Sequence, residues 1–299
     1  MTLQDFASGA AAVQWPTIGH DDALCVDLQE RLASAGLLDD KPDGQFGPVS
    51  QWALAQWLQR LALADAPRLD TGVARTLLGE RAAQAFPLRP DASLAGRIVQ
   101  AMLRRGLSVC RHPQALNIVY VEGLNPDGTA NADAPNVFND LRVALRIGDD
   151  GVPRIEESWE ATTGPGTYYT RVEHLDPSGA ARIALGQFKA WSVGIHMNGC
   201  PSAHEALVQC APISVYRDLN EDFRRDDDKV FTGLFGVNQH WGFDAPVNDI
   251  GRASAGCLVG RTRSGHRSFM AMCKADPRYQ ANHGYRFVST VLSAQDVAG

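Results

Sequence analysis

His240-Trp241-Gly242, then Ser254-Ala255-Gly256-Cys257-Leu258-Val259-Gly260-Arg261, is the stretch that decides how this 299-residue chain is read. It places a cysteine on a turn of small residues, behind a glycine, with a histidine one short loop upstream. A free cysteine titrates near 8.5, so only a few per cent is thiolate at neutral pH without help. A neighbouring imidazole can take the thiol proton and later return it to a leaving amine. The other reading of Cys257 is a small buried apolar side chain, the commonest fate of a free cysteine. Residue types alone leave both open.

Around this stretch, 234–238 reads as a strand leading into His240. The segment 243–253, with Pro246, Asn248, Asp249 and Gly251, reads as a loop that returns the chain beside it. The small residues Ser254 to Gly256 allow a substrate backbone to approach. The amides of Gly256 and Cys257 are candidate oxyanion donors.

Outward from the site the texture is strand and turn. Segment 117–121 is short and β-branched, and 141–147 alternates as a half-buried strand should. Asp150-Gly151 reads as a hairpin turn into 154–161. Further strands are expected at 181–184, 188–192, 206–216 and 285–292, with helices over 93–108 and about 267–274. The N-terminal region differs. Leu24, Leu28, Leu32 and Ala35 share a helical face, with Asp21 or Asp22 as N-cap and Gly36 as stop. A turn-dense loop over 39–47 follows. A second helix carries Val49, Trp52, Ala53, Ala55, Trp57 and Leu61, and a third is expected over 71–82. Pro87 and Pro90 mark a linker. The expected fold class is multi-domain α+β: a small three-helix domain over 20–84, a linker over 85–92 and a mostly β domain over 93–295.

Hydrophobic residues make up 44% and charged residues 21%, enough for an ordinary core. A net charge of -6 argues against nucleic acid as a partner. The six cysteines have no paired spacing, so neither a zinc ribbon nor a disulfide framework is indicated. Reduced thiols are expected; Cys200 with Cys210 is the pair on which a disulfide would fall. His196, His204, Glu205, Cys200 and Cys210 are near one another in sequence, but no HExxH or paired cysteines support zinc. No metal and no cofactor is expected. No apolar run spans a membrane, and the first residues lack a secretory signal. The expectation is synthesis in the cytoplasm and export by another route.

Two resemblances sharpen this reading. Leu28-Gln29, Leu32, Gly36, Asp43-Gly44-Gln45-Phe46-Gly47, Ala53 and the 56–59 region resemble the small peptidoglycan-binding domain attached to many cell-wall enzymes. That resemblance implies wall-binding roles for Asp43, Gly44 and Phe46; a helical packing domain without a ligand is the other reading. The order Ala161-Thr162-Thr163-Gly164, Ala184-Leu185-Gly186-Gln187-Phe188, His240-Trp241-Gly242 and Ser254-Ala255-Gly256-Cys257 resembles the L,D-transpeptidase catalytic domain. Departures from that family's pattern stand at Trp241, Ala255 and Val259, with Arg261 displaced by two.

The second resemblance implies roles. Cys257 attacks a stem-peptide carbonyl, His240 is base and then acid, and the Trp241 carbonyl orients the imidazole. Gly256 and Cys257 amides hold the oxyanion, and Ser254 fixes the turn by side-chain hydrogen bonding. Gly186, Phe188 and Ser254 are expected near substrate. Arg261 binds a substrate carboxylate or is a solvated surface arginine. The implied partner is the peptidoglycan stem peptide. A secretion machine or an immunity protein is a further expected partner, because a wall substrate and a missing signal suggest a phage enzyme or a delivered antibacterial effector. The rival classes are a zinc-dependent wall peptidase and a non-catalytic wall-binding protein.

Overall fold

The computed structural model describes residues 1–39 and 41–299 and is a mixed α and β structure built on one large mixed sheet. Asp40, part of the expected turn-dense loop, lies outside the described residues. The first part contains α1 (Leu3–Ala7), β1 (Val13–Gln14), α2 (Asp22–Ser34), α3 (Pro48–Arg60), β2 (Arg68–Leu69), α4 (Thr71–Leu78) and α5 (Glu80–Ala83). The second contains α6 (Leu94–Arg104), β3 (Asn117–Glu122), β4 (Asp140–Ile147), β5 (Pro153–Thr162), α7 (Thr167–Arg171), β6 (Ala180–Ile183), β7 (Gly186–His196), β8 (His204–Gln209), β9 (Ile213–Asp218), β10 (Lys229–Gly233), β11 (Gln239–Trp241), β12 (Leu258–Gly260), α8 (Arg263–Ala275), α9 (Pro277–Ala281), β13 (Phe287–Ser293) and α10 (Ala294–Ala298).

The first helices form where apolar spacing and caps agree. Asp21 caps α2 by accepting from Leu24 N at 3.1 Å. Gly36, at φ +75°, ends it: Leu37 N bonds Leu32 O and Gly36 N bonds Ala33 O, closing a left-handed C-terminal motif. The third helix expected over 71–82 breaks at Gly79, whose ψ of 161° cannot continue it, into α4 and α5. The helical core also reaches further back than residue 20. Leu3, Phe6 and Ile18 are fully buried in it, and at its other end so is Phe86, within the expected linker.

In the second part β11-β12-β5-β4-β3-β13-β7-β8 close into a barrel, with β11/β12 and β13/β3 parallel and the other pairs antiparallel. Strand β4 departs from the expected half-buried pattern. Leu141, Val143 and Leu145 pack under α6 and α10, while Ala144 joins the interior cluster of Tyr120, Trp191 and Phe287. Both faces are covered, so its alternation is between two cores rather than core and water. Inside, Arg142 is fully buried, its guanidinium over the rings of Trp159 (4.8 Å) and Phe269 (4.3 Å).

Two strand assignments from sequence are corrected. Segment 206–216 is not one strand. It breaks around Pro212, which has no N–H for a ladder, and the chain leaves the barrel at β8 to form a separate sheet in the order β10-β9-β6. Segment 234–238 is not a strand either. The Gln209 carboxamide holds it: Oε1 accepts from Phe235 N (3.1 Å) and Val237 N (3.0 Å), and Nε2 donates to Gly233 O (3.0 Å). His240 therefore lies within β11 rather than after a longer strand. All six cysteines are free thiols. Among the described residues no helix is long and apolar enough to cross a membrane.

Candidate active site

Parallel pairing of β11 with β12 matches His240 with Val259, and Leu258 N bonds Asn238 O at 2.9 Å. This register carries Cys257 beside Asn238, so nucleophile and histidine candidates reach one cleft from adjacent strands. The cleft has a volume of about 960 Å³. Its walls come from 234–237, from 242–257, from Tyr169 and Leu175, and from the end of β7.

The turn before Cys257 is locked by one buried hydroxyl. Ser254 Oγ accepts from Gly256 N (3.1 Å) and donates to Cys257 O (3.1 Å). Ser254 is only 1% exposed and does not line the cleft; its hydroxyl is spent on the turn. The Gly256 amide is likewise already committed, which removes it as an oxyanion donor. The Cys257 amide has no acceptor among the described residues. Gly256 sits at φ +118°, a conformation that favours glycine.

The thiol rests neutral. Burial pushes Cys257 up to about 11, against a weak opposing bond from Asn238 N at 3.4 Å. Its Sγ donates to Gly236 O at 3.5 Å, and no hydrogen bond joins it to His240 among the described residues. The imidazole rests neutral too. His240 is 2% exposed, and burial, then the neighbouring His196, holds it well below the ordinary histidine range. Its Nδ1 lies 2.7 Å from Trp241 O. A carbonyl only accepts, so Nδ1 carries the proton and Nε2 is left as a lone-pair base.

Other predicted residues are elsewhere. Arg261 turns away from the cleft and bonds Glu160 (2.5 Å) and Ala245 O (3.2 Å), because β12 pairs with β5 and brings Glu160 alongside. Gly186 and Phe188 begin β7, paired with Val291 and Ser289 of β13. Only the far end of that strand, His196, reaches the cleft, eight residues on at ~3.3 Å each. Asp43 and Gly44 are held by Gln29: its Oε1 accepts from both amides (3.0 and 2.9 Å) and its Nε2 donates to Asp43 Oδ1 (2.8 Å). Phe46 packs on the helical core. Asp43 does face a polar groove of about 300 Å³ between the helices and the barrel, which Lys41, Tyr285 and Arg286 also line.

Sequence reasoning missed Arg217 among the lining residues. Arg252 and Arg217 supply the cleft's positive charge. Arg217 pairs with Asp176 at 3.1 Å, whereas Arg252 lies on the Tyr168 ring (3.7 Å) and bonds its hydroxyl. His196 and His204 are direct partners across the β7–β8 hairpin. No local signal gave this pairing: a two-residue Asn198-Gly199 turn would pair Met197 with Cys200, whereas the connection is the seven residues 197–203. Their rings stack on the site, His196 on His240 (centroids 3.9 Å, 8°) and His204 on Trp241 (3.8 Å, 10°). Among the described residues no three His, Cys, Asp or Glu side chains are arranged to hold a metal ion.

The chain matches no protein-family model, no curated protein and no solved structure.

Proposed function

We propose that this chain is a cysteine acyl-transfer enzyme of the L,D-transpeptidase type, acting on peptidoglycan stem peptides, with its first helical region serving as a wall-binding unit. One observation carries the reading. Cys257 and His240 open into one cleft, and the Trp241 carbonyl fixes the histidine in the tautomer whose Nε2 accepts a proton.

The chemistry follows from two neutral groups. As Cys257 Sγ attacks the carbonyl carbon, its proton passes to His240 Nε2, a C–S bond forms and the carbonyl π pair moves to oxygen. On collapse the C=O re-forms, the C–N bond breaks and His240 Nε2–H protonates the leaving amine. An incoming amine or water then repeats the sequence on the thioester, giving exchange or trimming. The free guanidinium edge of Arg252 suits a substrate carboxylate in place of Arg261. A wall substrate lies outside the cytoplasm, so the reading includes delivery by lysis or a secretion machine, and an immunity protein in a producing cell.

The test is digestion of defined muropeptides by the wild type and Cys257→Ala, with products and intact protein weighed. A stem-peptide product and an acyl adduct on Cys257, both missing in the variant, are expected. Equal product from the variant would overturn the proposal.

A further inference from the structure

A tetrahedral intermediate needs donors for its oxyanion, usually two. Here the Gly256 amide is held by Ser254 Oγ, which leaves the Cys257 amide alone. The second donor is set by a chain of fixed protons on the facing wall. Gln209 N can only donate, and it lies 2.9 Å from Asn238 Oδ1. That orientation turns Asn238 Nδ2 to His196 Nδ1 at 3.0 Å. An amide nitrogen only donates, so His196 Nδ1 accepts and its proton sits on Nε2. No acceptor takes that N–H among the described residues, and His196 lines the cleft with Cys257 and His240.

The two stacked rings are thus opposite tautomers. His240 presents a bare Nε2 and His196 presents Nε2–H. We infer that His196 is a second catalytic histidine, whose Nε2–H donates a hydrogen bond to the oxyanion that forms when Cys257 attacks a carbonyl. The inference rests on the reading of Cys257 as nucleophile. His196 exchanges no proton: the thiol proton goes to His240, and the His196 N–H shortens its bond as charge builds on oxygen. Burial, then His204, lowers His196 to about 4, so it stays neutral at ordinary pH.

Two reactions of Cys257 separate this role from a merely structural one. Acylation by 4-nitrophenyl acetate, followed as the burst of nitrophenol beyond that of Cys257→Ala, passes through an oxyanion. Alkylation by iodoacetamide, followed by mass, does not. His196→Phe should acylate about 100-fold more slowly, with alkylation within about twofold of wild type. His196→Gln, which restores an N–H, should recover at least about tenfold of that loss. Acylation by His196→Phe within threefold of wild type would overturn the inference. So would acylation and alkylation falling together, since His196 would then act by holding the thiol. A readout on the unmodified protein is independent of folding in the variants: ¹⁵N chemical shifts of His196 should report the Nε2–H tautomer from pH 6 to 8, and an Nδ1–H tautomer overturns the inference. Failure of muropeptide turnover with ester acylation intact removes the proposed substrate and leaves this role standing.

Discussion

Gly256 packs against Ala181 of β6 so closely that a side chain has no place there. A Cβ at Gly256 would fall 2.9 Å from the Ala181 Cβ and closer still to the Ala181 carbonyl oxygen. That contact joins the three-stranded sheet to the turn that aims Cys257. Gly256→Ala meets both the clash and a φ of +118°, so the turn has to move. A destabilisation of about 1–3 kcal/mol is expected for the strained backbone, with at least about a 100-fold loss in acylation from the misplaced thiol. Thermal unfolding and ester acylation measure the two effects. Wild-type acylation in this variant would show that the turn does not set the geometry.

The thiol and imidazole start as a neutral pair, so Cys257 should not behave as a preformed thiolate. Burial pushes it up to about 11, and the thiolate fraction grows tenfold per pH unit until that value is approached. Alkylation of Cys257 by iodoacetamide should therefore rise steadily from pH 7 to 10 without levelling. A plateau below pH 8 would mean that a proton is already on His240 and that the pair rests ionised.

Part of this site was legible in the sequence and part was not. The Ser254-to-Cys257 turn could be read because glycine and small residues declare themselves locally. The Trp241 contact was implied by the resemblance, and it joins chain neighbours, so no distant element has to be placed for it. Gly186 and Phe188 were misplaced because a motif gives the order of elements, not which end of an eleven-residue strand reaches the cleft. Arg261 was misassigned because its partner Glu160 arrives through barrel closure, across strands distant in sequence. Gln209 was invisible for the same reason: a side chain standing in for a strand leaves no periodicity.

Buried histidines should make the fold acid-labile. Burial lowers His112 and His196 to about 4 and His266 to about 3, and holds His240 well below its ordinary range. Each titrates near 6.5 when unfolded. Between about 6.5 and 4 the unfolded chain binds more protons, so stability is full above about 6.5 and lost as pH falls. Each fully differential proton contributes a slope of about 1.4 kcal/mol per pH unit. Asp140 works the other way. Burial, then Glu122, raises it to about 7, so its proton favours the fold as pH drops, and Asp228, raised by burial to about 6, acts with it, but they are two groups against these four and His204, which burial also lowers. Urea midpoints should fall clearly from pH 7 to 4.5; a flat profile would show that these histidines are protonated in the fold.

The helical region and the barrel are pinned at Asp39. Its carboxylate meets Lys189 (2.5 Å), Tyr285 Oη (2.5 Å) and Arg278 (3.2 Å), while Gly36 O accepts from Arg111 N at 2.7 Å. Burial raises the Asp39 carboxyl, but Lys189 and Arg278 outweigh it and keep it below the ordinary range. Removing one partner of such a buried cluster costs about 3–5 kcal/mol. Asp39→Ala leaves the Tyr285 hydroxyl without its acceptor and reduces Arg278 to Asp276 and Leu116 O. Among the described residues the other ties are the Gly36–Arg111 backbone bond, the Arg60–Asp149 ion pair (2.8 Å), which has an exposed partner and is weak, the Gln56–His112 hydrogen bond (3.1 Å), and the packing of Trp52 and Phe86 on His112 and of Val49 on the barrel cluster. The buried hydrophobic cores of the two parts are separate, with Val49 of α3 packed on the barrel's. Asp39→Ala should therefore split urea unfolding into two transitions, with proteolysis first appearing within 85–92. The barrel's acylation chemistry should persist, because no cleft residue touches Asp39. A single transition at the wild-type midpoint would show that the interface holds without this carboxylate.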